Sequence, residues 1–199
     1  MISIPPFLRK IFGADGTPVP AKTKDPLAGQ IPAMRSRVQF GVFSNAFKDG
    51  ESIPLKYSAY GENLSPQLSW EIGPGSTQSY AVFMEDPDAV IGPRPVVHWL
   101  AWNISADQLS LPEGLPLEAE LRKPRRMRQG LNANGTLGYF GPHPTQGESE
   151  HRYGFQVFAL DTMLNLPGGA ARKDLLEACM DHVIGAGVLI GKFIWPNPE

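Results

Sequence analysis

A chain of 199 residues is long enough to make one domain with an adequate core. Hydrophobic residues supply 42% of it and charged residues 19%, a balance that excludes disorder as the main state, and the formal net charge of −2 excludes bulk electrostatic recruitment of nucleic acid. Cys179 is the single cysteine, which excludes an intrachain disulfide or a multi-cysteine zinc site and fits a cytoplasmic protein.

In chain order, the first segment is apolar at Ile4, Phe7, Leu8, Ile11 and Phe12, but Arg9 and Lys10 interrupt it and no small-residue cleavage site follows, so a signal peptide is not expected. No apolar stretch reaches the roughly 18 residues that a membrane-spanning helix needs, so no integral membrane segment is expected. Residues 1–36 are rich in proline and glycine and read as an extended N-terminal arm. Disorder, packing across a homodimer, and surface attachment through Phe7, Leu8 and Phe12 are the alternatives, in falling order.

Residues 37–199 read as the folded domain. The 21 glycines and 20 prolines favour many turns between short strands, and short β-branched and aromatic segments predict strands over 38–43, 56–60, 67–70, 79–84, 96–104 and 153–160. The nearly continuous apolar runs of the fourth and fifth segments suit strands covered on both faces, hence central ones. Pro87, Gly92, Pro93 and Pro95 make the connection over 86–95 a stiff loop. Arg122, Lys123, Arg125, Arg126 and Arg128, interrupted by Pro124, form the one dense basic run and read first as a solvated loop. Leu175, Leu176, Cys179, Met180 and Val183 recur at helical spacing, predicting a helix over 173–184 that stops at Gly185 and carries a structural His182 in its last turn, where a cation suits the helix dipole. A final strand is expected over 188–195.

The other three of the four histidines fall in two short segments. One runs from Glu85, Asp86, Pro87 and Asp88 to Val97, His98 and Trp99; the other from Gly141, Pro142 and His143 to His151, Arg152 and Tyr153. Histidine changes charge near neutral pH, so this concentration beside aspartates points to one polar pocket suited to anion capture, proton transfer or metal ligation. The blander alternative is that each is a structural hydrogen-bond donor. Phosphate-loop, nucleophile-elbow, zinc-protease and dinucleotide signatures are absent, so no catalytic residue is assigned.

These two segments carry a family resemblance. Asp86-Pro87-Asp88-Ala89 joined to His98-Trp99, and Gly138-Tyr139-Phe140-Gly141-Pro142 joined through Gly147 to His151-Arg152-Tyr153, resemble the paired signatures of the phosphatidylethanolamine-binding proteins. Supporting pieces stand in the same order: Phe47-Lys48-Asp49-Gly50 with Ile53-Pro54, Ser65-Pro66-Gln67-Leu68-Ser69-Trp70, and Arg128-Gln129-Gly130. The wording is closest to the bacterial branch related to Raf kinase inhibitor protein, and the match runs from about Val38 to the C-terminus. The resemblance implies a mainly β protein, an antiparallel β-sandwich with a C-terminal helix, whose anion pocket is lined by Asp86, His98, His151 and Tyr153 with Gly141 and Pro142 on its rim.

Imidazolium N–H groups, the Tyr153 hydroxyl and the Gly141 amide are the donors such a pocket offers to a phosphoryl group. Asp86 would orient one imidazole or meet a ligand ammonium. Asp88, Trp99 and His143 are secondary ligand-binding candidates: Asp88 is equally suited to capping the proline-rich turn, Trp99 to packing beneath the site, and His143 to an exposed turn. His143 and the Thr145-Gln146 pair depart from the family pattern and put head-group specificity in doubt. The resulting expectation is non-enzymatic, regulatory binding of a phosphate-bearing small molecule such as a phospholipid head group, with no cofactor and no metal. Two alternatives stay open: a kinase or protease inhibitor or signalling adaptor, bound to a protein client through the basic loop, and a His-dependent hydrolase.

Overall fold

Two antiparallel sheets and one short helix make up the fold of this computed structural model, which describes residues 38–91 and 94–196. The expected N-terminal arm lies outside the described residues. The smaller sheet joins β1 (Val42–Phe43), β2 (Leu68–Trp70) and β5 (Ser110–Leu111) in the order β1-β2-β5. The larger joins β3 (Ser79–Ile91), β4 (Arg94–Ser105), β6 (Arg128–Gln129), β7 (His151–Leu160) and β8 (Val183–Phe193) in the order β6-β4-β3-β7-β8. The helix α1 (Arg172–Cys179) precedes β8.

Side chains alternate across a strand, and the alternation here divides the core in two. Tyr80, Val82 and Met84 of β3, Ala101 of β4 and Phe155 and Val157 of β7 pack with Val42, Leu68, Trp70 and Leu111 of the smaller sheet. From the other face, Ala81, Phe83, Leu100, Trp102 and Phe158 pack with Leu175 and Cys179 of α1. Strands β3, β4 and β7 are therefore covered on both sides, as their apolar runs imply. On β8, a Cβ at Gly187 would stand 2.3 Å from the Phe40 carbonyl oxygen. Glycine there admits the incoming chain, whose Phe40 amide donates to the Ala186 carbonyl at 3.1 Å.

Five expectations are corrected. Residues 56–60 are not a strand: Leu55–Tyr57 is a 3-10 turn, with Tyr57 N–H donating to the Pro54 carbonyl at 2.9 Å and Ser58 N–H to Leu55 at 3.0 Å. Local i→i+3 bonding after Pro54 overrides the β preference of the tyrosines. Residues 86–95 are not a plain loop, because β3 and β4 continue as the arms of a hairpin interrupted by a bulge. Register passes from Asp86↔Val96 to Val90↔Pro95, leaving Pro87, Asp88 and Ala89 outside the ladder, a position where proline's missing N–H costs nothing.

The helix is shorter than its apolar spacing suggests. It ends at Cys179, Asp181 takes a left-handed φ of 66°, and Val183 pairs with Leu160 in the sheet. Sheet pairing takes the β-branched residues that would have formed the last turn. His182 thus lies outside the helix, where the dipole argument does not apply; its Nδ1 is 2.8 Å from Asp161 Oδ1. The final strand accordingly begins at Val183 and ends at Phe193.

Candidate functional site: a carboxylate–imidazole cluster

Asp86, His98, His151 and Tyr153 converge at one end of the larger sheet. Met84 faces the intersheet core, so Asp86, two residues on, extends the same face of β3. His151 and Tyr153 share that face of β7, with Tyr153 in the core cluster. His98 reaches the site through a bulge: β4 pairs Trp99 with Met84 and Val97 with Glu85, so His98 is the extra residue and sits on the same side as Trp99. Bulges commonly re-aim side chains in this way beside functional sites.

Each group is held by identifiable bonds. Asp86 Oδ1 accepts the backbone N–H groups of Asp88 at 2.8 Å and Ala89 at 2.9 Å, replacing ladder bonds lost in the bulge, and its Oδ2 lies 2.8 Å from His151 Nδ1. Side-chain exposures of 6% for His151 and 2% for Asp86 make this a buried pair. Its hydrogen bond, reinforced by the carboxylate charge, holds His151 above the usual imidazole range against burial. His98 Nδ1 donates to the Phe140 carbonyl at 2.8 Å; the ring stacks on Phe140, with centroids 5.5 Å apart, and meets Tyr153 edge-on at 5.0 Å. Burial pushes His98 below its ordinary value, with Asp86 acting in the opposite direction. The two imidazoles are thus shifted in opposite directions, His151 toward its cation and His98 toward its neutral form.

The remaining candidates have other engagements. Tyr153 is fully buried; its hydroxyl has no hydrogen bond among the described residues, the Asp86 carboxylate and the His143 main chain are its polar neighbours, and burial raises its pKa. The Gly141 amide, expected as a ligand donor, is committed to Asn63 Oδ1 at 2.7 Å. Pro142 accepts the Ala59 N–H through its carbonyl at 3.0 Å, tying the same turn to the 3-10 region. Asp88 does not cap its own turn with its carboxylate: Oδ2 accepts the Arg152 N–H and Nε, both at 2.8 Å, and Oδ1 accepts Nη2 at 2.5 Å. Trp99 is fully buried and donates to Gln129 Oε1 at 2.8 Å, packing beneath the site. His143 is exposed and stacks on Tyr60, with centroids 4.8 Å apart.

Sequence reasoning passed over three supporting residues. Asn63, at a left-handed φ of 57°, fixes the Gly141 turn; Phe140 supplies both a ring and an acceptor to His98; Glu148 places Oε2 3.9 Å from His151 Nε2. The local signals were the place of Phe140 inside a motif and the spacing of Glu148 three residues before His151, whereas Asn63 acts on a distant turn. Among the described residues, no three His, Cys, Asp or Glu side chains are grouped to hold a metal ion.

The profile of one family, the phosphatidylethanolamine-binding proteins, matches residues 43–194. The chain belongs to that family. Among phosphatidylethanolamine-binding protein relatives, a UPF0098 protein of Methanothermobacter thermautotrophicus is 45% identical over 151 residues, covering 75% of this chain and 95% of that protein. A UPF0098 protein of Aquifex aeolicus is 39% identical over 153 residues, covering 76% and 86%. The crystal structure of Escherichia coli YbcL, described as a member of the mammalian phosphatidylethanolamine-binding protein family, aligns with TM-score 0.73 and 29% identity over 79% of this chain and 99% of that one. The Chlamydia trachomatis homolog CT736 aligns with TM-score 0.69 and 34% identity, with the same coverage.

Gly141 offers a sharp stability test of this cluster. A Cβ there would stand 2.3 Å from the Tyr57 carbonyl oxygen and 2.8 Å from Ser58 backbone atoms, none of which is a flexible side-chain end. Gly141→Ala is expected to cost about 2 kcal/mol in urea unfolding, the scale of overpacking a tight site. A change below about 0.5 kcal/mol, the level of an ordinary surface substitution, would contradict this close approach.

Proposed function

We propose that the pocket binds the phosphoryl group of a small phosphate-bearing ligand, such as a lipid head group that ends in a phosphate monoester, without turning it over. The observation that carries this reading is the fixing of both imidazoles through Nδ1: His98 by the Phe140 carbonyl and His151 by Asp86. Among the described residues no hydrogen bond engages either Nε2, and His151, shifted toward its protonated form, offers a charge-assisted donor when it carries the proton. Both oxygens of Asp86 are already occupied, so its role is to orient and charge His151 rather than to meet a ligand ammonium. Nothing in this arrangement resembles an activated nucleophile, since the hydrogen-bond partners of the two imidazoles are a carbonyl and a carboxylate.

Calorimetric titration with inorganic phosphate tests the reading. Saturable binding that survives a chelator is expected. Binding that vanishes with chelator would replace this account with a metal-dependent one, and no saturable binding would leave the histidines as structural groups.

A second reading has its own observation. Arg122, Lys123, Arg125 and Arg126 are exposed and form no ion pair among the described residues, whereas Arg128 pairs with Glu120 at 3.1 Å. Buried Leu121 and Met127 anchor the loop, with the Leu121 N–H donating to the Met127 carbonyl at 2.9 Å. Such a pinned, cationic loop suits an adaptor of the Raf kinase inhibitor type with an acidic client. A pull-down comparing wild type with Arg125→Ala/Arg126→Ala separates the two readings, because only an adaptor using this loop loses its partner.

A further inference from the structure

The donors and acceptors left to a ligand in this pocket are unequal in kind. A carbonyl oxygen only accepts, so the proton of neutral His98 is on Nδ1, toward Phe140, and Nε2 presents a lone pair. His98 is 3% exposed, stacked on Phe140 and edge-on to Tyr153, an enclosure that disfavours its charged form; Asp86 and His143 are the ionisable groups acting on it. Beside the second imidazole, Glu148 brings a carboxylate oxygen to 3.9 Å from His151 Nε2. The Thr145 backbone N–H donates to that same Glu148 oxygen and holds it in place. His151 Nε2–H is thus a donor with an acceptor already near it, and His98 Nε2 is a further acceptor.

We propose that the pocket selects oxyanions that carry a proton, namely dihydrogen phosphate or the monoanion of a phosphate monoester, over fully deprotonated ones such as sulfate, and that Glu148 helps set this preference. The proposal rests on the phosphate reading above. A protonated phosphate turns its O–H toward His98 Nε2 or Glu148 while an unprotonated oxygen accepts from His151. Sulfate has only acceptor oxygens to offer, so one of them must face a lone pair or a carboxylate, and a buried acceptor left without a donor is costly. Glu148 also competes for the His151 donor, a competition that bears more heavily on an anion unable to donate in return.

The test compares inorganic phosphate with sulfate by calorimetry at about pH 6, near the second ionisation of a phosphate monoester, where protonated forms are abundant. Wild-type protein is expected to bind phosphate about tenfold tighter than sulfate, or more. Glu148→Gln should raise sulfate affinity more than phosphate affinity and reduce the ratio by about threefold or more, the scale set by loss of a partly exposed charge. Glu148→Ala, which introduces no amide donor, should move the ratio in the same direction. Equal wild-type affinities for the two anions, or a ratio unchanged in both variants, would overturn the proposal. If neither anion binds wild type or variants, the phosphate reading itself falls, an outcome distinct from binding without discrimination.

Discussion

Phosphate binding by the His151→Ala protein is expected to be about ten- to a hundredfold weaker than by wild type, the scale set by losing a hydrogen bond from a charged donor. In the proposed reading the protonated His151 ring is both the donor and the local positive charge, and the hydrogen bond to Asp86 favours that form. The pH dependence has a definite sign. The folded pKa of His151 is raised, so its cation is present below the unfolded value of about 6.5 and is lost only as pH rises through the higher folded value. Phosphate affinity should therefore fall as pH rises through that upper window, whereas a metal site, which needs neutral imidazole, would strengthen. The stability contributed by the Asp86–His151 pair disappears over the same window. His98 behaves oppositely: its lowered folded pKa gives a contribution present above about 6.5 and lost as pH falls through the folded value. Calorimetry from about pH 6 to pH 8 checks the binding arm, and affinity that increases across that range would sink the imidazolium account.

Glu85→Ala is expected to destabilise the fold by about 3 to 5 kcal/mol, the cost of breaking a buried charge pair. Glu85 is fully buried on the helix side of β3, where its Oε1 accepts from Arg172 Nε at 2.5 Å and its Oε2 from Gln156 Nε2 at 3.3 Å. Burial raises its pKa, with Arg172 and Gln156 pulling the other way. The pair connects the first residue of α1 to the strand that carries Asp86 on its next residue. Replacing Glu85 with Leu and Arg172 with Met together should recover much of the loss, because apolar groups of similar volume leave no charge to solvate. Urea unfolding measures both. A loss below about 1 kcal/mol for Glu85→Ala would place the pair among weak surface contacts instead.

The central strands were legible because both of their faces are apolar. Ser79, Tyr80, Ala81, Val82, Phe83 and Met84 read as a strand buried on both faces, and the two core clusters divide those side chains between the smaller sheet and the helix. Family signatures likewise made Asp86, His98, His151 and Tyr153 legible as a group, since motif order survives independently of loop geometry. Local chemistry was weaker where long-range pairing competes with it. Val183 continued a helical spacing but gains more from pairing with Leu160, and Tyr57 and Tyr60 looked like strand residues although Pro54 starts a tight turn.

What one-dimensional pattern could not carry was the direction and engagement of each polar group. The bulge that turns His98 toward Tyr153 depends on how β4 registers against β3, which the order of residues in the motif does not specify. The same holds for Gly141, whose amide is spent on Asn63, and for Asp88, whose carboxylate is spent on Arg152. It holds above all for the two imidazoles, identical in sequence terms: burial lowers the pKa of His98 while the hydrogen bond to Asp86 raises that of His151. Residue type and spacing determined that a carboxylate and imidazoles would meet at a strand end; only tertiary packing, through desolvation and backbone position, decided which partner each imidazole takes and in which direction its pKa moves.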